Sequence, residues 1–299
     1  MKLARARWRS DVVLVRIEIE KEGVNDRSTD SADASSRVTG VILARESDHA
    51  AADVLRETLG SSQDLSGPGE RVEMADLEIL SPVVNPSKLL GVGFNYADHA
   101  EETGDERPKA PLLFLKAPSA IVGPGDPIRF RHSDSVEVDY EAELALVIGR
   151  KGRDISRDDA LSHVLGYTLC DDVSARDAQF GDGQWMRGKS FDTFAPLGPW
   201  IVTVDELGEA SDLAISCRVN GTIMQTSRTS RLIFGVRDLV SYASRFMTLE
   251  PGDVISTGTP EGVGYTRKPP VYLSDGDLVE VDVDGIGVLS NPVSVWSEK

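Results

Sequence analysis

In the segment VDYEAELALVIG, Glu141 and Glu143 stand two residues apart. On a β-strand that spacing turns both carboxylates to one face, close enough to share a cation. Asp139 continues the alternation, and from Leu144 to Ile148 the run is continuously apolar, so the strand is read as buried on both faces just beyond the acids. Acids two apart are also common on the exposed face of a half-buried strand. At the end of a fully buried one they repel each other and are costly to desolvate without a counter-charge. A second acidic pair, Asp171 and Asp172, ends the apolar run of GYTLCDDVSARD, and one of the two reaches a shared metal if the strands are neighbours. Oxygen-only ligation of this kind favours Mg²⁺ or Mn²⁺ over zinc, and three carboxylates leave positions for water and a bidentate substrate.

In NYADHAEETG, His99 and Glu102 stand three apart, adjacent on one helical turn. A carboxylate beside imidazole fixes its tautomer and raises its basicity, as a water-activating base requires. His49, His132 and His163 lack such neighbours and are read as structural or surface residues. The stretch GQWMRGKS, ending in Lys189 and Ser190, satisfies the letters of a phosphate-binding P-loop. It lacks the context: no buried strand runs into it, and Pro196, Gly198 and Pro199 interrupt any helix leaving it. GVGFNY puts Tyr96 where a dinucleotide fingerprint needs a small residue, and VDVDGIG reads as a hairpin turn, not a calcium loop.

The elements that must position these residues form a β-rich chain. Residues 1–80 read as a small N-terminal α+β domain with strands DVVLVRIEIE and RVTGVILAR, a polar loop between them, and a helix from Asp48 to Thr58. Residues 81–299 hold many short strands punctuated by Gly and Pro, tight-turn signals at Asn220-Gly221 and Asp284-Gly285, and one amphipathic helix between Arg231 and Met247. The fold class is mixed β with a few helices. A formal charge of −17 argues against nucleic acid or an anionic membrane as partner. The two cysteines, Cys170 and Cys217, lie in apolar runs and read as buried thiols, and the N-terminus lacks a signal-peptide cleavage site, so a cytoplasmic location is expected.

Taken in order, NYADHAEE, PLLFLKAPSAIVGPGDPI, VDYEAELALVIG, GYTLCDDVSARD, GKSFDTFAPLGPW and LEPGDVISTGTPEGVG resemble the fumarylacetoacetate hydrolase family over roughly residues 85 to 295. GQWMRGKSFDTFAPLGPW and KPPVYLSDGD look most like its 2,4-diketo-3-deoxy sugar-acid hydrolases of the fuconate and rhamnonate type. The resemblance implies a rolled, barrel-like sheet, a homodimer and one Mg²⁺ or Mn²⁺ per site. It assigns the metal to Glu141, Glu143 and Asp172, the water-activating dyad to His99 and Glu102 on a lid, and the active-site lysine to Lys189. Arg176, Gln179 and Thr259 fall on pocket positions.

The implied activity is hydrolysis of a C–C bond in a 2,4-diketo acid, releasing pyruvate. Decarboxylation of oxaloacetate, or isomerisation or decarboxylation of a hydroxymuconate-type dioic acid, is the alternative, and a non-catalytic metal-stabilised binding protein a third. Three carboxylates around a divalent ion leave a formal charge of about −1, so a nearby lysine is required if an anionic substrate is to bind.

Overall fold

The computed structural model describes residues 1–21, 36–45, 68–103, 107–181 and 183–296. Among these, the first 80 residues supply β1 (Lys2–Trp8), β2 (Asp11–Lys21), β3 (Ser36–Arg45), β4 (Glu70–Glu73) and β5 (Glu78–Leu80). Strands β6 (Leu89–Gly93) and β7 (Leu112–Lys116) flank helix α1 (Ala97–Thr103). Short β8 (Ile121–Val122), β9 (Ile128–Arg131) and β10 (Val138–Asp139) lead to β11 (Ala142–Ile148). Next come β12 (Val164–Asp171), β13 (Ser174–Ala175), and helices α2 (Arg176–Gly181) and α3 (Trp185–Lys189). Strand β14 (Ala195–Thr203) and helix α4 (Val204–Leu207) precede the hairpin of β15 (Ala214–Val219) and β16 (Thr222–Arg228). Helix α5 (Val236–Ser244), β17 (Val254–Ser256), β18 (Leu278–Val283) and β19 (Gly287–Trp296) complete the chain.

The largest sheet runs β4-β3-β2-β1-β14-β12-β11-β17-β6-β7, with β5 and β8 attached to β1 and β14. Among the described residues it ends on β4 and β7 without closing, where the resemblance implied a rolled, barrel-like sheet. A five-stranded sheet, β16-β15-β18-β19-β9, covers one face. The fold class read from the sequence, mixed β with few helices, is the one observed.

Strand β11 explains the layering. Leu144, Leu146 and Ile148 join the core shared with Ile215, Val279 and Val281 of the five-stranded sheet. Ala145 and Val147 face the opposite way, into a second cluster with Leu3, Leu89 and Ile201. The unbroken apolar run is thus buried on both faces, and each such Leu or Ile contributes roughly 1.5–3 kcal/mol by leaving water.

Local rules hold at the turns. Asn220 (φ 52°) and Gly221 (φ 76°) both take the left-handed region in the β15–β16 turn, the conformation a two-residue hairpin turn of the right twist demands. The amphipathic helix is shorter than expected. It begins at Val236, with Asp238 Oδ2 accepting the Gly235 N–H at 3.3 Å, because Leu232 is engaged in a β-bridge with Tyr96. Phe246 lies beyond its end, 57% exposed and stacked edge-on against Tyr242, and adds nothing to the buried stripe. Cys170 and Cys217 are buried free thiols, as read. The polar segment after Lys21 and the helix expected at Asp48–Thr58 lie outside the described residues.

Candidate active site

The acids converge because β11 and β12 pair antiparallel with Ala142 opposite Asp171 and Glu143 opposite Cys170. One step further, the Asp172 N–H donates to Glu141 O at 2.9 Å, so Asp172 follows the same side as the two glutamates. Carboxylate oxygens of Glu141, Glu143 and Asp172 lie within 4.8 Å of one another, and all three residues are buried. Asp171 turns the other way and accepts the Glu141 N–H at 2.8 Å. Asp139 does not extend the row. The backbone leaves strand geometry between β10 and β11, which breaks the alternation, and Asp139 pairs instead with Arg176 at 2.8 Å.

The neighbouring strand fixes the cluster. Ser256, at the end of β17, and Gly258 N–H, at 2.9 Å, donate to Glu143 Oε2. Thr259 Oγ1 donates to Ala142 O at 3.0 Å, and Gln225 ties Thr259 to the Ala142 N–H. Cations close the remaining sides. Lys189 Nζ donates to Glu141 at 2.8 Å and to Asp172 at 2.7 Å, and Arg176 Nη1 reaches Glu141 at 2.6 Å. Lys116, which the sequence reading passed over, pairs with Asp172 from the end of β7. Its signal was present: it is the one charged residue of LLFLK, and it is buried.

Three buried carboxylates therefore face three buried cations. Burial, with Asp172 and Glu141 adding repulsion, drives the Glu143 carboxyl well above its ordinary range. Burial acts on Glu141 too, yet the charges of Lys189 and Arg176 hold it down at about 2. Burial disfavours the Lys189 ammonium, and Asp172 and Glu141 outweigh it, raising its pKa. A set of convergent hard oxygens without nitrogen or sulfur donors, one of them destabilised by like charges, fits a divalent cation of the Mg²⁺ or Mn²⁺ kind.

His99 lines the cleft above the acids, with Nδ1 3.1 Å from Glu102 Oε2. Its helix is anchored by Asn95, whose side chain donates to Thr257 O at 2.7 Å and accepts the Phe234 N–H at 2.9 Å. Burial pushes the Glu102 carboxyl up, but hydrogen bonds from His99, Thr266 and Gly262 outweigh it and hold it below the ordinary value. Arg176, Gln179, Lys189 and Thr259 also line the cleft, so the structure brings every sequence-predicted site residue except Glu102 to its wall, and Glu102 touches it through His99.

The glycines of GVGFNY serve packing. A Cβ at Gly91 would come within 2.2 Å of Phe114, and one at Gly93 within 2.4 Å of Trp185. Those rings wall the cleft, Trp185 edge-on to Phe94 and Phe114 at 5.3 and 5.6 Å. The P-loop likeness of GQWMRGKS dissolves, since a five-residue helix begins inside it at Trp185 and ends at Lys189. Trp185 lines the cleft, whereas Met186 is 52% exposed.

Comparison with known proteins follows the same residues. The model of the fumarylacetoacetate (FAA) hydrolase C-terminal family matches residues 88–294. The mitochondrial oxaloacetate tautomerase fahd2 of Xenopus laevis is 51% identical over 221 residues, covering 73% of this chain and 69% of that protein. The structure of a 5-carboxymethyl-2-hydroxymuconate delta-isomerase from Mycobacterium smegmatis is 40% identical with a TM-score of 0.77, covering both chains completely. That of a 2-hydroxyhepta-2,4-diene-1,7-dioate isomerase from Mycobacterium marinum is 38% identical with a TM-score of 0.78, again over both whole chains. The Xenopus relative is mitochondrial by name and lends no support to a cytoplasmic location. Among the described residues, no helix is long and apolar enough to cross a membrane. A family match across most of the chain, carried by the motifs that build this cleft, makes the protein a member of the fumarylacetoacetate hydrolase family.

Proposed function

We propose that the protein interconverts the keto and enol forms of oxaloacetate or a close 2-oxo dicarboxylic acid, moving one proton between C3 and the C2 oxygen. The observation that carries this reading is an imidazole oriented by a carboxylate, His99 on Glu102 at 3.1 Å, facing a buried cluster of three carboxylates and their cations. The 51%-identical relative named as an oxaloacetate tautomerase supports the substrate, and the two isomerase names support a proton shift over bond cleavage. The finer likeness to sugar-acid hydrolases gives way to these names.

The residues suit the task. Glu102, ionised, accepts the Nδ1–H of His99, which leaves the Nε2 lone pair to take a proton from C3. The electron pair of the broken C3–H bond forms the C2–C3 double bond, and charge moves to the C2 oxygen. Lys189 and Arg176 supply positive charge beside that oxygen, and the same imidazolium returns the proton there. Glu141, Glu143 and Asp172 would hold a Mg²⁺ or Mn²⁺ ion, whose chemistry is to bind the substrate carboxylate and stabilise its enolate. Hydrolysis of a 2,4-diketo acid asks the same His99 to activate water, and dioate isomerisation asks only for a longer conjugated substrate.

The test is product analysis with Mg²⁺, following enol absorbance and pyruvate together for oxaloacetate, a heptadiene dioate and an acylpyruvate. Accelerated enol decay without pyruvate is the expected result for oxaloacetate. Pyruvate rising in step would assign decarboxylation, and turnover of the acylpyruvate alone would restore the hydrolase reading.

A further inference from the structure

The two oxygens of Glu102 have different partners. Oε2 faces His99, while Oε1 accepts the Gly262 N–H at 3.1 Å and the Thr266 hydroxyl at 2.8 Å. Both donors sit on the long connection 257–277 between β17 and β18, and this part of it is itself fixed from behind. The N–H groups of Gly264 and Tyr265 donate to Asp139 at 2.7 and 3.1 Å, and Asp139 is wholly buried against Arg176. Gly262 stands at φ 95°, where a Cβ would come within 2.3 Å of Met224 O, so its N–H is committed in direction. Thr266 has one hydroxyl proton and two acceptors, Glu102 Oε1 and Val263 O at 2.9 Å. The carboxylate is the stronger acceptor, and the carbonyl satisfies the hydroxyl whenever Glu102 withdraws.

Resting on the reading of His99 as the proton-moving base, we propose that Thr266 is a positioning residue that, with Gly262, clasps Glu102 and so seats α1 with His99 over the carboxylates. The clasp ties the dyad to the same buried Asp139 that orients Arg176, one of the pocket residues. Thr266 itself does not line the cleft, although its neighbour Tyr265 does, and its side-chain link to the dyad is the hydrogen bond to Glu102.

Two substitutions test it in the full-length, Mg²⁺-supplemented protein: Thr266→Val, which keeps shape and loses the hydroxyl, and Thr266→Ser, which keeps the hydroxyl. Amide hydrogen exchange of the peptide spanning Ala97–Thr103 should quicken severalfold in the valine variant and match wild type in the serine variant. With enol oxaloacetate, kcat should fall about tenfold in the valine variant with KM little changed, and serine should restore it. Unchanged exchange in the valine variant overturns the clasp. So does an unmoved kcat in an enzyme that turns oxaloacetate over, or an equal loss in the serine variant. If no variant acts on oxaloacetate, the functional reading fails while the exchange measurement still decides the clasp.

Discussion

Glu143 is buried beside Asp172 and Glu141, and its own hydrogen bonds from Ser256 and Gly258 do not cancel their repulsion. A divalent ion relieves that cost, so Glu143→Gln, nearly isosteric, should weaken Mn²⁺ binding at least about 100-fold in calorimetry while leaving the fold intact. Unchanged affinity would remove the carboxylates from the metal role. Glu102 makes a pH-dependent claim. Its carboxyl is lowered from the ordinary 4.5 in the folded protein, so the stability it contributes is present above that value and lost as pH falls through the lowered one. Wild type should therefore resist urea better than Glu102→Gln at pH 7, by less than about 1 kcal/mol at so exposed a site, with the difference vanishing in stronger acid. At this scale the sequence was informative about Glu141, Glu143, His99 and Glu102, whose types and spacings are local, whereas Lys189 was placed only by the family resemblance. Spacing alone could not choose between Asp171 and Asp172, because the choice is made by register against β11, and only the family resemblance pointed to Asp172. Spacing also misread Asp139, since the strand break that frees it for Arg176 is set by tertiary pairing. Lys116 escaped because a lysine ending a strand-like run normally reaches solvent.

At the scale of elements, the strands were legible from their apolar runs, and the helix α5 from its stripe, while ends were set by contacts no local pattern holds. Leu232 is the example: it fits the helical spacing but pairs with Tyr96 in a bridge that brings α5 to the segment holding His99. The glycines of β6 carry another element-level expectation. Gly91→Ala would press a methyl group to within 2.2 Å of the Phe114 ring, over which Lys189 lies at 5.3 Å. The substitution should cost about 1–3 kcal/mol in denaturant unfolding and lower activity through the displaced ring. A neutral effect would mean that Phe114 moves freely and does not wall the cleft.

The whole molecule carries a formal charge of −17, yet its proposed substrate is an anion. Glu141, Glu143 and Asp172 face Lys116, Lys189 and an Arg176 shared with Asp139, so a divalent ion tips the cleft positive within a surface that repels. Added salt screens the distant surface charges first, over a Debye length of about 10 Å at 0.1 M. The value of kcat/KM for oxaloacetate should therefore rise between low and physiological ionic strength, and a fall would show that the local field dominates at long range. Sheet topology lay beyond the sequence for the same reason as the register: which strands neighbour β11 is decided by packing on both its faces. The central claim is a proton shift at C3, and exchange of that proton with solvent measures it directly. In D₂O with Mg²⁺, the C3 proton signal of oxaloacetate should vanish faster with wild-type protein than with His99→Asn or with no protein, while the pyruvate methyl signal stays flat. Loss of the C3 signal at the uncatalysed rate would contradict the account.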